Sequence, residues 1–200
     1  IMKIILGKKL GMTTLFDDTK GALNVTLIAC GKNTVVLNRT KETDGYVAVQ
    51  VTTDKTTRKT TQHEFRLDTN SKSIEVATKD LADFAPGAEL SVAQFEVGDK
   101  VNICGVTKAK GFQGVVKRHG FAGGWASHGG KHDLRKGGSI GSTFPEHVMK
   151  GRRMAGRMGG ENFTVQNLSV AYVNVEEGLI GVRGAVPGVN GRVVEVMSVK

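Results

Sequence analysis

Short β-branched and apolar runs recur along this chain between turn signals. They are Lys3 to Leu6, Ala22 to Cys30, Thr34 to Asn38, Tyr46 to Thr52, Glu89 to Phe95, Lys100 to Val106, Phe163 to Val175, Leu179 to Val186 and Arg192 to Val199. Each predicts a strand. In Tyr46 to Thr52, Val47, Val49 and Val51 alternate with Ala48, Gln50 and Thr52, the period of a strand with one buried face. Asp44-Gly45, Pro86-Gly87, Glu177-Gly178 and the stretch Val186 to Gly191 mark turns, and Asn190-Gly191 suits a hairpin. Only Ser73 to Phe84 hints at a helix, with Leu81 and Phe84 three apart after a capping Asp80. Lys55 to Thr61 has no apolar residue and reads as a solvated loop. Many short strands with regular turns imply a mainly β fold, a barrel or a sandwich.

The strand pattern stops after Val106 and resumes at Phe163, and the charge shows why. Residues 105–160 hold eleven Lys and Arg against Asp133 and Glu146, a net charge of +9 that equals that of the whole chain. The other 144 residues carry seventeen bases and seventeen acids. The basic segment also has fifteen of the 27 glycines and four of the five histidines, but only six Val, Ile or Leu. It cannot bury much of a core of its own. Such charge on a Gly-rich, aliphatic-poor stretch calls for a polyanion to order it, with nucleic acid the leading candidate. At about 3.3–3.6 Å per residue, a there-and-back excursion of this length carries its charges several tens of ångströms.

The remaining composition narrows the setting. Two hundred residues suit one domain, or one core with a long excursion. Cys30 and Cys104 lie far apart in runs that read as buried strands, which points to free thiols in a reducing, cytoplasmic compartment. No apolar run approaches the ~20 residues of a membrane span. Ile1 to Leu6 is too short for a signal peptide, and Met2 reads as the initiator.

Two clusters carry the candidate chemistry. Gly105 to Gly120 interleaves glycines with Lys108, Lys110, Lys117 and Arg118, and Lys150 to Arg157 adds Arg152 and Arg153. Glycine lets a backbone come close to phosphate, Lys and Arg replace released counterions, and the planar Arg fork suits phosphate or guanine edges. Trp125 lies between Gly123-Gly124 and Ala126-Ser127-His128. It either stacks on an unpaired base or packs on the loop's own stems. His128 and His132 have the spacing of a zinc helix, but Gly129 stands where the catalytic Glu belongs and the surrounding glycines oppose any helix, so no metal is expected. Ser127, Ser139 and Ser142 lack a Gly-x-Ser-x-Gly elbow. Gly130-Lys131 is followed by His132 rather than Ser or Thr, which rules out a P-loop, and Gln113 breaks the echo of an RNA-recognition motif at Lys110-Gly111-Phe112.

Phe95, Asn102, Gly105, Thr107, Lys110, Gly111, Gly114 and Arg118 fall at the spacings of a family signature, with Ala109 in place of its Gly. Gly7 to Thr13, Asp44 to Gln50, Gly138 to Gly141, Lys150 to Gly159, Thr164 to Leu168 and Gly184 to Gly188 match further blocks in order. The chain thereby resembles, over nearly its whole length, the bacterial form of the large-subunit ribosomal protein of the L-three family. The resemblance implies a closed β-barrel core over 1–53, 89–106 and 161–200, a small inserted α+β region over 54–88, and a long Gly/Lys/Arg-rich extension over 107–160. That extension would thread ribosomal RNA towards the peptidyl transferase centre, its tip near Trp125 to Ser142. The inserted region is reduced, because the helical Gly-His-Phe stretch usual between Arg58 and Phe65 is absent. Ser142 to His147 departs from the Gln-rich family pattern, so the glutamine methylated in some members has no counterpart.

Residues and resemblance together predict a structural, non-enzymatic constituent of the cytoplasmic ribosome that supports early subunit assembly. Its partners would be large-subunit ribosomal RNA and neighbouring ribosomal proteins, with no membrane, cofactor, metal or small-molecule substrate. The predicted RNA-binding set is Lys8, Lys9, Lys108, Lys110, Gly111, Lys117, Arg118, His119, Trp125, His128, Lys131, His132, Arg135, Lys136, Lys150, Arg152, Arg153 and Arg157. The rival is a nucleic-acid-processing enzyme using His119, His128 or His132 as acid or base.

Overall fold

The computed structural model describes residues 2–17, 21–53, 61–67, 81 and 84–199. The chain divides into two compact units, residues 1–107 with 162–200 and residues 108–161. The first is built on strands β1 (Ile4–Asp17), β2 (Gly21–Ala29), β3 (Asn33–Arg39), β4 (Ala48–Thr53), β5 (Thr61–Arg66), β6 (Glu89–Leu90) and β7 (Lys100–Val106). After two short strands of the second unit, β8 (Phe112–Gln113) and β9 (Gly156–Arg157), it resumes with β10 (Asn162–Asn174), β11 (Leu179–Arg183) and β12 (Val193–Ser198).

Six strands close into an antiparallel barrel in the order β1-β12-β7-β10-β11-β2, with β1 also paired to β2. The interior comes from the inward residues of each strand: Ile5, Ile28, Val101, Ile103, Val170, Ile180, Val182, Val194 and Val196. Phe95 and Val92 join them from the β6–β7 connection. Irregular register at Lys9/Gly11, Val165/Leu168 and Val170/Tyr172 adds bend and twist where strands must curve. At the second of these, Asn167 takes a left-handed φ of 58° and its backbone N–H donates to Asn102 Oδ1 at 3.0 Å. The signature residue Asn102 thus fixes the bulge.

A second sheet, in the order β5-β4-β3-β6, holds strands that the sequence reading placed in the barrel. Asn33–Arg39, Ala48–Thr53 and Glu89–Leu90 belong to it and not to the barrel wall. Its buried Val35, Val49, Val51 and Phe65, with Val47 just before β4, pack with Ile4 and Leu6. This explains the unbroken Ile4-Ile5-Leu6 run: Ile5 faces the barrel interior while its neighbours face the second sheet.

Other expectations also change. The strand expected over Glu89 to Phe95 stops at Leu90, because Ser91 accepts a hydrogen bond from Ala93 N–H at 3.0 Å and a 3₁₀ turn follows over Val92–Gln94. β1 runs to Asp17, since Gly11 to Asp17 pairs with β2 although its sequence does not alternate. β5 exists on a mostly polar sequence by pairing with β4 and burying Phe65 opposite Val49. The turn at Asn190-Gly191 is no hairpin, because β11 pairs with β10 and β2 while β12 pairs with β1 and β7. Residues 55–60 of the expected loop, and all of the expected helix except Leu81 and Phe84, lie outside the described residues. Cys30 and Cys104 are both free thiols, and burial pushes the Cys30 thiol up to about 12.

One ion pair ties β1 to the start of β7. Lys3 Nζ donates to Asp99 Oδ2 at 2.6 Å, and the Glu96 N–H donates to the same oxygen at 3.0 Å. Led by the Lys3 bond, these hold the Asp99 carboxyl below its ordinary value. A carboxylate depressed in the folded state contributes stability above its unfolded value near ~3.9. That contribution is lost as pH falls through the lower folded value. Asp99→Asn should therefore flatten the acid limb of a stability–pH curve below about pH 4 and leave its shape near neutrality unchanged.

Candidate nucleic-acid interface

The second unit, residues 108–161, contains no buried residue, as expected from its few aliphatic side chains. Backbone hydrogen bonds organise it instead. β8 pairs with β9 through Phe112 with Arg157 and Gln113 with Gly156, and Lys110 N–H to Met158 O and Met158 N–H to Gly111 O, each 2.9 Å, continue the ladder. The short helix α1 (Val115–His119) ends at Gly120 in the left-handed region, φ 73°, with Lys117, Arg118 and His119 in its last turn, where cations suit the dipole.

Glycines here serve close approach of the chain to itself. At Gly123, φ 77°, a Cβ would overlap the Leu134 carbonyl oxygen, and the neighbouring Gly124 N–H donates to Asp133 O at 3.0 Å. At Gly159, φ 73°, a Cβ would overlap the Lys108 carbonyl oxygen beside the β8–β9 ladder. Gly159→Ala should therefore open that ladder. Amide exchange at Lys110 and Met158 would quicken by about tenfold or more, the scale of a ~1–2 kcal/mol left-handed penalty, while β7 and β10 amides stay protected.

The predicted binding residues separate into two groups. Lys117, Lys131, Arg135, Lys150, Arg153 and Arg157 are exposed and form no ion pair among the described residues. Lys108 and Lys110 are exposed on the two strands' approach. The others also hold the chain together. Arg118 Nη1 donates to Met154 O at 2.7 Å, His119 Nε2 lies 3.0 Å from the same oxygen, and Arg152 Nη2 donates to Ser139 O. Lys136 pairs with Asp133 at 2.8 Å. Lys8, in the first unit, is exposed. Lys9 is a correction: its side chain is buried and its ammonium donates to Val186 O at 2.7 Å and Gly188 O at 3.0 Å, so it braces the β11–β12 connection and is not displayed to a partner.

Trp125 is 81% exposed, so it does not pack on the loop's own stems, and its ring is perpendicular to that of His128 with centroids 6.4 Å apart. Gly124, Trp125, Ser127 and His128 line a cleft of about 480 Å³. Sequence reasoning missed Phe112 and Phe144, each 76% exposed. The available signal at Phe112 was the one used for Trp125, a lone aromatic among glycines. His128 and His132 share no helix, and no histidine of the unit is hydrogen-bonded to a carboxylate among the described residues. The enzymatic rival therefore has no oriented acid–base pair.

The arrangement offers unpaired cations, exposed aromatic faces and a backbone that bends back on itself without a core, which suits irregular RNA. The sequence profile described as ribosomal protein L3 matches residues 8–178. The chain belongs to this family. The large ribosomal subunit protein uL3 of Clavibacter michiganensis subsp. michiganensis (strain NCPPB 382) is 46% identical over 200 residues, covering 96% of this chain and 92% of that protein. Its counterpart in Thermobifida fusca (strain YX) is 43% identical over 203 residues, covering 98% and 94%. That of Streptococcus pyogenes serotype M1 is 42% identical over 201 residues, covering 98% and 96%. Within this L3 chain the signature residues hold structural places: Phe95 in the barrel core, Asn102 at the β10 bulge, and Arg118 on the Met154 carbonyl.

Proposed function

We propose that this chain is a structural constituent of the large ribosomal subunit that binds large-subunit ribosomal RNA through residues 108–161, supports early subunit assembly and carries a basic loop towards the peptidyl transferase centre. The observation that carries the reading is the coincidence of two facts. The family match spans most of the chain, and the second unit combines nearly all of the chain's excess charge with exposed, unpaired cations and no core. Lys108, Lys110, Lys117, Lys131, Arg135, Lys150, Arg153 and Arg157 position the unit on phosphates. Arg118, His119, Lys136 and Arg152 hold its chain while adding charge, and Gly111 shapes the approach. Trp125, Phe112 and Phe144 offer stacking faces, with His128 and His132 beside the first of them. Neighbouring ribosomal proteins complete the surroundings, and the role is structural rather than catalytic.

The test is sedimentation with large ribosomal particles in high salt, together with affinity for large-subunit ribosomal RNA and duplex DNA at matched ionic strength. Retention in the particle and preference for the ribosomal RNA are expected. Release by salt, or equal affinity for the two polymers, would refute the reading.

A further inference from the structure

We propose that the barrel unit carries a separate groove for an RNA phosphodiester, with Lys8 and Arg192 as its cationic walls and Asn190 as a third donor. The inference deepens the RNA-binding reading and rests on it. The groove, of about 520 Å³, also includes His63, Val106 and Val193.

Backbone pairing brings the two chain segments together, and both cations line the groove. Lys8 is in register with Val193, Lys9 N–H donates to Arg192 O at 2.9 Å, and Gly191 N–H donates back to Lys9 O at 2.6 Å. Gly191 has φ 86°, and a Cβ there would touch Lys8 Cε at 3.7 Å. Lys8 and Arg192 are both exposed, and neither forms an ion pair among the described residues. Glu195, the carboxylate on the adjoining strand, has Oε1 taken by His63 Nδ1 at 2.6 Å. The groove therefore offers two cations that form no ion pair among the described residues and that an anion can engage.

The shape of the site selects the anion. A phosphodiester has two non-bridging oxygens, enough to accept from an ammonium and a guanidinium together. Val106 and Val193 provide apolar floor that a bare ion cannot use but a ribose can. The groove volume also suits a nucleotide rather than a small ion. These residues all belong to the first unit, so the contact is independent of the charge on residues 108–161.

The experiment is a backbone and side-chain nitrogen–proton NMR titration of the full chain with hexauridylate and, separately, with inorganic phosphate. Signals of Lys8, Asn190, Gly191 and Arg192 are expected to move saturably with the oligonucleotide. Phosphate should produce the same shifts only at roughly hundredfold higher concentration, the ~2.8 kcal/mol separating a chelated, ribose-packed ligand from a bare ion. In the double variant Lys8→Gln/Arg192→Gln those shifts should vanish while shifts in residues 108–161 persist, and the salt slope of binding should fall by about 1.4, two contacts at about 0.7 each. No movement at these positions in the wild-type chain would overturn the proposal whether or not the variant folds. So would equal response to inorganic phosphate, or a double variant that keeps the shifts. Movement confined to residues 108–161 removes the groove and leaves the wider RNA-binding reading intact, whereas movement in the groove with 108–161 silent removes that reading's account of the second unit.

Discussion

Glutamine at Lys117, Lys131, Arg135, Lys150, Arg153 and Arg157 together will flatten the dependence of log affinity for large-subunit ribosomal RNA on log salt by about 4 to 5, at about 0.7–0.9 per phosphate contact. These six side chains are exposed and lack ion pairs among the described residues, so their charge is available to phosphate and their removal breaks no bond within the chain. Arg118 and Arg152 are left in place because their guanidinium groups hold the Met154 and Ser139 carbonyls. Fluorescence anisotropy across 50–200 mM salt reads the slope directly. A slope unchanged in the sixfold variant would mean that the excess charge of residues 108–161 is not what meets the RNA.

Phe65→Ala is expected to lower the unfolding free energy by about 3–5 kcal/mol, the cost of a large core truncation and the cavity it leaves. Phe65 is 1% exposed and sits in β5 opposite Val49, within the cluster that joins the second sheet to Ile4 and Leu6. Urea denaturation should show a lower midpoint with an unchanged slope, and the salt dependence of RNA binding should be untouched. A loss below about 1 kcal/mol would mean that the second sheet contributes little to the folded body.

What could be read in the sequence follows from the range of the interaction involved. The alternation of Val47, Val49 and Val51 is local, and all three are buried, Val49 and Val51 on β4 and Val47 just before it. The charge of residues 105–160 is a sum over sequence, so it needed no structure to find. Which strands share a sheet is non-local, and the run Tyr46 to Thr52 has the same pattern in a barrel wall as in the separate sheet it occupies. Lys9 looked like one more surface cation. Only the return of the chain at Val186 to Gly188 supplies the carbonyls that bury its ammonium. Gly123 and Gly159 were visible in the sequence only as members of a Gly-rich stretch, because the carbonyls they approach, those of Leu134 and Lys108, are set by the fold of the second unit. Asn190 escaped notice because the stretch from Val186 to Gly191 read as a turn, and Arg192 because it read as the start of a strand, while the groove they line depends on β1 arriving beside them.

The division of labour between the two units has a direct test in the barrel wall itself. β7 and β10 are antiparallel neighbours with Val106 opposite Asn162, so residues 107–161 can be excised and replaced by a two-residue Asn-Gly turn between Val106 and Asn162. The measurement is the affinity of this shortened chain for large-subunit ribosomal RNA against salt, taken alongside its urea midpoint. The prediction is a folded protein with a midpoint near that of the full chain and a salt slope reduced to the few contacts the barrel can make. A shortened chain that fails to fold, or that folds and keeps the full slope, would contradict it.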